Sequence, residues 1–165
     1  MPGTYTVNNV GAPPSRGGLA LPLPPTQGPI VLQQGRAGLL YRFMGVREVG
    51  DARTFLYPGI WTDGISDCVV LTAVEWDPLQ RRWTNFCWRH LMGGYYKPWR
   101  DDFRANITQP ANCFGLIASR DWIGTSTLRD KMVKWGIPDA QITTYIAGRD
   151  FKFGLRFFGG AFGEV

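Results

Sequence analysis

Between residues 68 and 91 the chain runs "CVVLTAVEW", breaks at Asp77-Pro78 and returns as "RRWTNFCWRHL". The outgoing run is rich in β-branched residues, the break carries turn chemistry and the return is aromatic, so the pattern predicts a strand, a loop and a strand. "NCFGLIAS" reads as a further strand. Leu128, Met132 and Trp135 then fall at i, i+4 and i+7. That spacing predicts a helix over "TLRDKMVKW" with one apolar face, capped by Ser126 and stopped by Gly136 followed by Pro138. "QITTYIA" and "FKFGLRFF" alternate as two closing strands. Upstream, "IVLQQGRAGLLYRFMGVREV" mixes apolar residues with glycines and predicts one or two short strands with a bend. "KPWRDDFR" carries mixed charge around an aromatic centre and reads as a solvated loop. Strands first, then a late helix between strands, predict an α+β fold: one domain, a mostly antiparallel sheet or sandwich with packed helices.

Composition adds a boundary. Residues 1–29 hold seven of the twelve prolines and no acidic residue, which disfavours both helix and ladder, so they read as an extended arm ahead of a domain over 30–165. With 165 residues, 44% of them hydrophobic, the chain suits one compact domain. The net charge of +5 favours acidic surfaces, but the 18 basic residues form no dense run, so no nucleic-acid partner is expected. Three cysteines and one histidine without a C-x-x-C spacing argue for reduced thiols and against a four-ligand metal site. No window reaches the roughly 18 apolar residues of a membrane span, and the N-terminus lacks the pattern of a secretory signal. The expected location is the cytoplasm, or a host or target cell reached by a signal-independent route.

The only histidine, His90, stands near the end of the return strand, and Cys68 stands at the start of the outgoing one, after "WTDGISD". A hairpin brings residues near its two ends within side-chain reach. The pair reads either as a nucleophile with its base or as a buried thiol beside a core imidazole, since cysteine is among the most buried residue types. Cys87 and Cys113 read as small buried hydrophobes. Trp61, Trp76, Trp83, Trp88 and Trp99 read as core or rim packing around the hairpin.

Thr62-Asp63-Gly64-Ile65-Ser66-Asp67-Cys68, a strand, Asp77-Pro78, a second strand and His90-Leu91-Met92 together resemble the Cys/His glutamine deamidases. That group comprises the chemoreceptor deamidases (CheD-like), the catalytic domains of cytotoxic necrotizing factors and a related bacterial lethal factor. The resemblance runs over about residues 59–160, with "YYKPWRDDFRANITQP" as an insertion, and leaves the arm outside it. Ile65-Ser66-Asp67-Cys68 falls on a Leu-Ser-Gly-Cys signature, and Thr62 stands where the group carries the residue that orients its histidine. Two positions depart from the pattern. Asp67 replaces a small residue, where its charge opposes thiolate formation unless it points away. Gly93-Gly94 replaces the Leu-Pro turn after the CheD-like histidine.

The resemblance implies a bacterial protein-glutamine deamidase, an effector or toxin among the options, with Cys68 as nucleophile and His90 as general base and acid. Thr62 would hold the imidazole by its side chain or carbonyl. Backbone amides across Gly64, Ser66 and Asp67 would form the oxyanion hole. The expected partner is a protein carrying the target glutamine, and no cofactor or metal enters. A cysteine protease or acyl transferase with the same pair, and a non-catalytic binding domain of the same fold, are the other readings.

Overall fold

The computed structural model of the chain describes residues 26–27, 30, 41–46, 48–92, 95–121, 124–157 and 160–165. Most of the proline-rich arm, residues 31–40 and Gly93-Gly94 lie outside these. The strands are β1 (Thr26–Gln27), β2 (Arg42–Phe43), β3 (Gly59–Ile65), β4 (Cys68–Asp77), β5 (Arg82–Met92), β6 (Cys113–Ser119), β7 (Ile142–Ile146), β8 (Phe151–Arg156) and β9 (Ala161–Glu164), with helices α1 (Lys97–Asn106) and α2 (Thr125–Lys134). They form an α+β architecture of two sheets, in the orders β1-β9-β8-β3-β2 and β5-β4-β6-β7.

Strand alternation divides the second sheet between two apolar layers. Val70, Val74, Phe86, Trp88 and Leu116 meet Ile60, Phe153 and Leu155 of the first sheet in one core cluster. Val69, Leu71, Ala73, Cys87 and Ile117, on the other face, pack beneath the helices with Trp99, Phe103, Leu128 and Met132. The order is therefore sheet, sheet, helices, with β4 central and buried on both faces. Trp83, Trp88 and Trp99 are fully buried core residues, while Trp61 and Trp76 pack partly buried at the margin.

Two expectations need correction. "KPWRDDFR" belongs to α1, not to a solvated loop: Pro98 suits a helix start, and Trp99 and Phe103, at i and i+4, are buried against the sheet. Its charges occupy the outer face, apart from an Arg89–Asp102 ion pair that ties the helix to β5. Ser126 is not the cap of α2, because Gly124, in the left-handed region at φ 76°, fills that position without a side-chain bond. The helix does stop at Gly136, whose φ of 106° lets its N–H reach the Val133 carbonyl and the Ile137 N–H reach that of Met132. Antiparallel ladders join β3/β8, β4/β5, β4/β6 and β8/β9, while the β1/β9, β2/β3 and β6/β7 ladders are parallel. For β6 and β7 the cause is the intervening α2, a crossover that returns the chain in the same direction. None of the described helices is long and apolar enough to cross a membrane.

Candidate active site

β3 carries an irregularity that builds one wall of the site. Its register against β8 shifts between Thr62 and Ile65, and Gly64 there has φ 65°, a conformation that favours glycine. The extra residue resets the alternation, so Ile60, Thr62 and Ile65 all face inward at 0% exposure while Asp63 and Gly64 face solvent. Ser66 and Asp67 then carry the chain across to β4 in the other sheet.

The inward Thr62 meets His90 across the sandwich: its Oγ1 lies 2.7 Å from His90 Nδ1 in a buried hydrogen bond joining the two sheets. The other ring nitrogen, Nε2, is buried and has no hydrogen-bond partner among the described residues. On β4 and β5, Val70 stands opposite His90 and Cys68 opposite Met92. Cys68 and His90 therefore share one face of the hairpin as diagonal neighbours, a separation of about 7–8 Å along the backbone frame. Cys68 is half-buried and free, whereas Cys87 and Cys113 are free but fully buried.

Electrostatics fixes the resting protonation. Burial, and then the Asp67 charge, push the Cys68 thiol above its ordinary value. Burial pulls His90 down, against an opposing effect of Asp63. The resting pair is thus a thiol and a neutral imidazole, not a preformed ion pair. Burial also pushes Cys87 and Cys113 up, further than it moves Cys68.

Of the remaining residues singled out in the sequence, Gly64 and Ser66 are joined to each other, the Ser66 N–H donating to the Gly64 carbonyl at 3.1 Å. The Ser66 amide is therefore engaged inside the bend. Asp67 has a side chain 89% exposed and lies 3.5 Å from Arg120. It points out of the site toward a cation, although its charge still acts on Cys68.

Arg120 and the cleft around it were not legible in the sequence. Arg120 follows β6 directly and also pairs with Asp150 at 3.1 Å and Asp121 at 3.7 Å. With Ser119, Tyr96, Thr127 and Leu128 it lines a cleft of about 480 Å³ into which Cys68 opens. His90 borders a second cleft, of about 280 Å³, together with Val46, Met92 and Tyr95. Nothing in "SRD" or "YYKP" marks these residues, because α1 and β6 are brought beside the β4 start only by the packing of the sheet. Among the described residues no group of three or more His, Cys, Asp or Glu side chains is placed to hold a metal ion. No protein-family model and no curated protein matches this chain.

Proposed function

We propose that the chain is a protein-glutamine deamidase in which Cys68, His90 and Thr62 carry the reaction. The observation behind the proposal is the buried 2.7 Å Thr62–His90 bond, which holds one imidazole nitrogen and leaves Nε2 without a partner among the described residues, on the hairpin face that carries Cys68. An unpaired buried nitrogen costs about 1–3 kcal/mol, a cost that a proton donor such as the Cys68 thiol would relieve.

In the catalytic tautomer, Nδ1–H donates to Thr62 Oγ1 and Nε2 is the acceptor. The Cys68 proton passes to Nε2 as sulfur attacks the side-chain amide carbon of a glutamine, forming a tetrahedral intermediate. The N–H of Asp67 makes no hydrogen bond to a described residue and stands beside the nucleophile, suited to receive the developing oxyanion. His90 then returns its proton to the amide nitrogen, the C–N bond breaks and ammonia leaves. Water, deprotonated by the same imidazole, attacks the thioester carbon, releasing glutamate and regenerating the thiol. The lowered proton affinity of His90 suits this sequence, because a neutral base is present at neutral pH. The resemblance of residues 59–160 to the CheD-like and necrotizing-factor domains supports the same assignment, and the sheet-sheet-helix layering is compatible with it.

The test is a mass measurement. Incubation with cell extracts should convert a glutamine of one protein to glutamate, a gain of about one dalton, with ammonia released through the acyl-enzyme route. Cys68→Ser and His90→Ala should remove this while the fold persists. Iodoacetamide should label Cys68 ahead of Cys87 and Cys113, and labelling of Cys68 should slow in His90→Ala. Labelling unchanged by His90→Ala, with no mass shift in any extract, would leave a non-catalytic binding domain as the reading.

A further inference from the structure

The outer surface of the two helices holds a feature that the Cys68 chemistry does not use. Arg100 and Arg104 on α1 face Lys131 and Lys134 on α2 across a groove of about 240 Å³ floored by Tyr96 and Trp135, with no acidic side chain in its lining. The two arginines fall at i and i+4, so both lie on one face of α1. Elsewhere in the described fold arginines are commonly matched by acids, as at Arg120, Arg129 and Arg149. Among the described residues, Arg100 of the groove has a salt bridge, at 3.3 Å to the exposed Asp101, while Arg104 and Lys134 have none. The cations act as a group: Lys131, Arg100 and Lys97 all lower the Tyr96 phenol, with the Lys131 contact foremost.

The floor decides which polyanion fits. The Lys131 ammonium lies 4.4 Å from the Tyr96 ring centre and covers that face. Trp135 packs against Tyr96, Trp99 and Phe103 at centroid distances of 6.0, 5.7 and 6.1 Å. Both rings are engaged within the protein, so neither offers the free stacking platform that single-stranded nucleic acid uses. Among the described residues the Arg104 guanidinium and the Lys134 ammonium remain unengaged, with the charges of Arg100 and Lys131 beside them, donors suited to carboxylates. Tyr96 also lines the Cys68 cleft, which makes the groove and that cleft neighbours across one side chain.

We propose that this α1–α2 groove binds an acidic polypeptide segment, two or more Asp or Glu residues on one stretch of the protein substrate, and so holds a neighbouring glutamine in the Cys68 cleft. Its naming as a substrate contact rests on the deamidase reading; the binding of acidic peptide does not.

The experiment therefore measures binding without turnover. A fluorescein-labelled twelve-residue peptide alternating Glu and Gly is titrated with the full chain at low salt, and anisotropy is read for wild type, Cys68→Ser, Arg104→Glu/Lys134→Glu and a control, Lys152→Glu, on β8. Binding is expected in wild type, Cys68→Ser and the control. It should weaken at least tenfold in the double variant and fall steadily with added salt. Circular dichroism of the double variant shows whether its helices persist, and Arg104→Gln/Lys134→Gln, which removes charge without reversing it, should lie between. Absence of binding at low salt, equal loss in the control, or tighter binding of a single-stranded oligonucleotide of the same charge would each overturn the proposal. If the peptide binds as described but no glutamine is ever converted, the groove stands and the deamidase reading falls.

Discussion

Strands β4 and β5 hold a buried polar group near each end of their hairpin, and the two are treated in opposite ways. Near the Asp77 turn, Glu75 is 5% exposed and receives the Thr108 N–H at 2.6 Å, the Gln109 N–H at 2.7 Å, Asn85 Nδ2 at 2.7 Å and Thr108 Oγ1 at 2.8 Å. At the far end His90 is 2% exposed and has one partner, Thr62, with Nε2 left open. Burial by itself would raise the Glu75 carboxyl, but the donors on it, Gln109 first among them, outweigh that and hold it below the usual range. A saturated buried ion locks the loop after α1 to β4. A half-paired imidazole retains the capacity to take up a proton, a difference that fits the role proposed for the far end.

The comparison is broken most directly by removing each group. His90→Ala should lower deamidation per folded molecule by about 10²–10⁴-fold, the range of a lost general base, and lose about 1–2 kcal/mol in unfolding because the buried Thr62 hydroxyl is left without its partner. Glu75→Ala should do the reverse: a loss of about 3 kcal/mol in denaturant unfolding, because charged hydrogen bonds contribute roughly 1.5–3 kcal/mol each and the amides of Thr108 and Gln109 are left without an acceptor, with turnover per folded molecule unchanged. A crossed result, a His90 variant less stable than Glu75→Ala but still active, or an inactive but stable Glu75 variant, would dissolve the contrast.

The pH dependence of stability sharpens the Glu75 half. A carboxyl whose folded value lies below the unfolded one, about 4.3, contributes fully above the unfolded value and loses that contribution as pH falls through the folded value. The stability gap between wild type and Glu75→Gln should therefore stay constant from neutral pH down to about 5 and shrink below it. A gap that widens on acidification would contradict the lowered carboxyl.

Smaller effects separate positioning from packing at the His90 end. Thr62→Val keeps the shape but leaves Nδ1 unpaired, so unfolding free energy should fall by about 1–2 kcal/mol. The rate constant for turnover should fall about tenfold, with KM little changed. A loss of stability with unaltered turnover would make Thr62 a structural residue only. Asp63 raises the imidazole through its charge. Removing it in Asp63→Asn should move the acid limb of the activity profile to lower pH, and an upward shift would show that His90 is not the titrating base.

Periodicity carried the strands of the central hairpin, β6, the two closing strands and the core of α2, because their apolar residues recur at intervals that only one backbone conformation can direct to one side. The i, i+4 spacing of Trp99 and Phe103 was equally present for α1, but the dense charges between them hid it. The cap of α2 escaped because a left-handed glycine replaces the side-chain cap on which a sequence reading depends. Parallel pairing of β6 with β7 followed from the crossover, which local propensity does not encode.

At the candidate site, the sequence by itself determined the chemical types and the hairpin order: a thiol at the start of one strand, the only imidazole near the end of the next, a threonine before the bend. Tertiary structure decided the rest. The Gly64 bulge turns Ile65 inward beside Thr62, the stacking of two sheets carries Thr62 Oγ1 to His90 Nδ1, and the end of β6 supplies Arg120 to draw Asp67 outward. Each of these is a contact between segments distant along the chain. Hydrophobic alternation fixes which face a residue occupies, but which partner meets that face depends on how the layers close over one another.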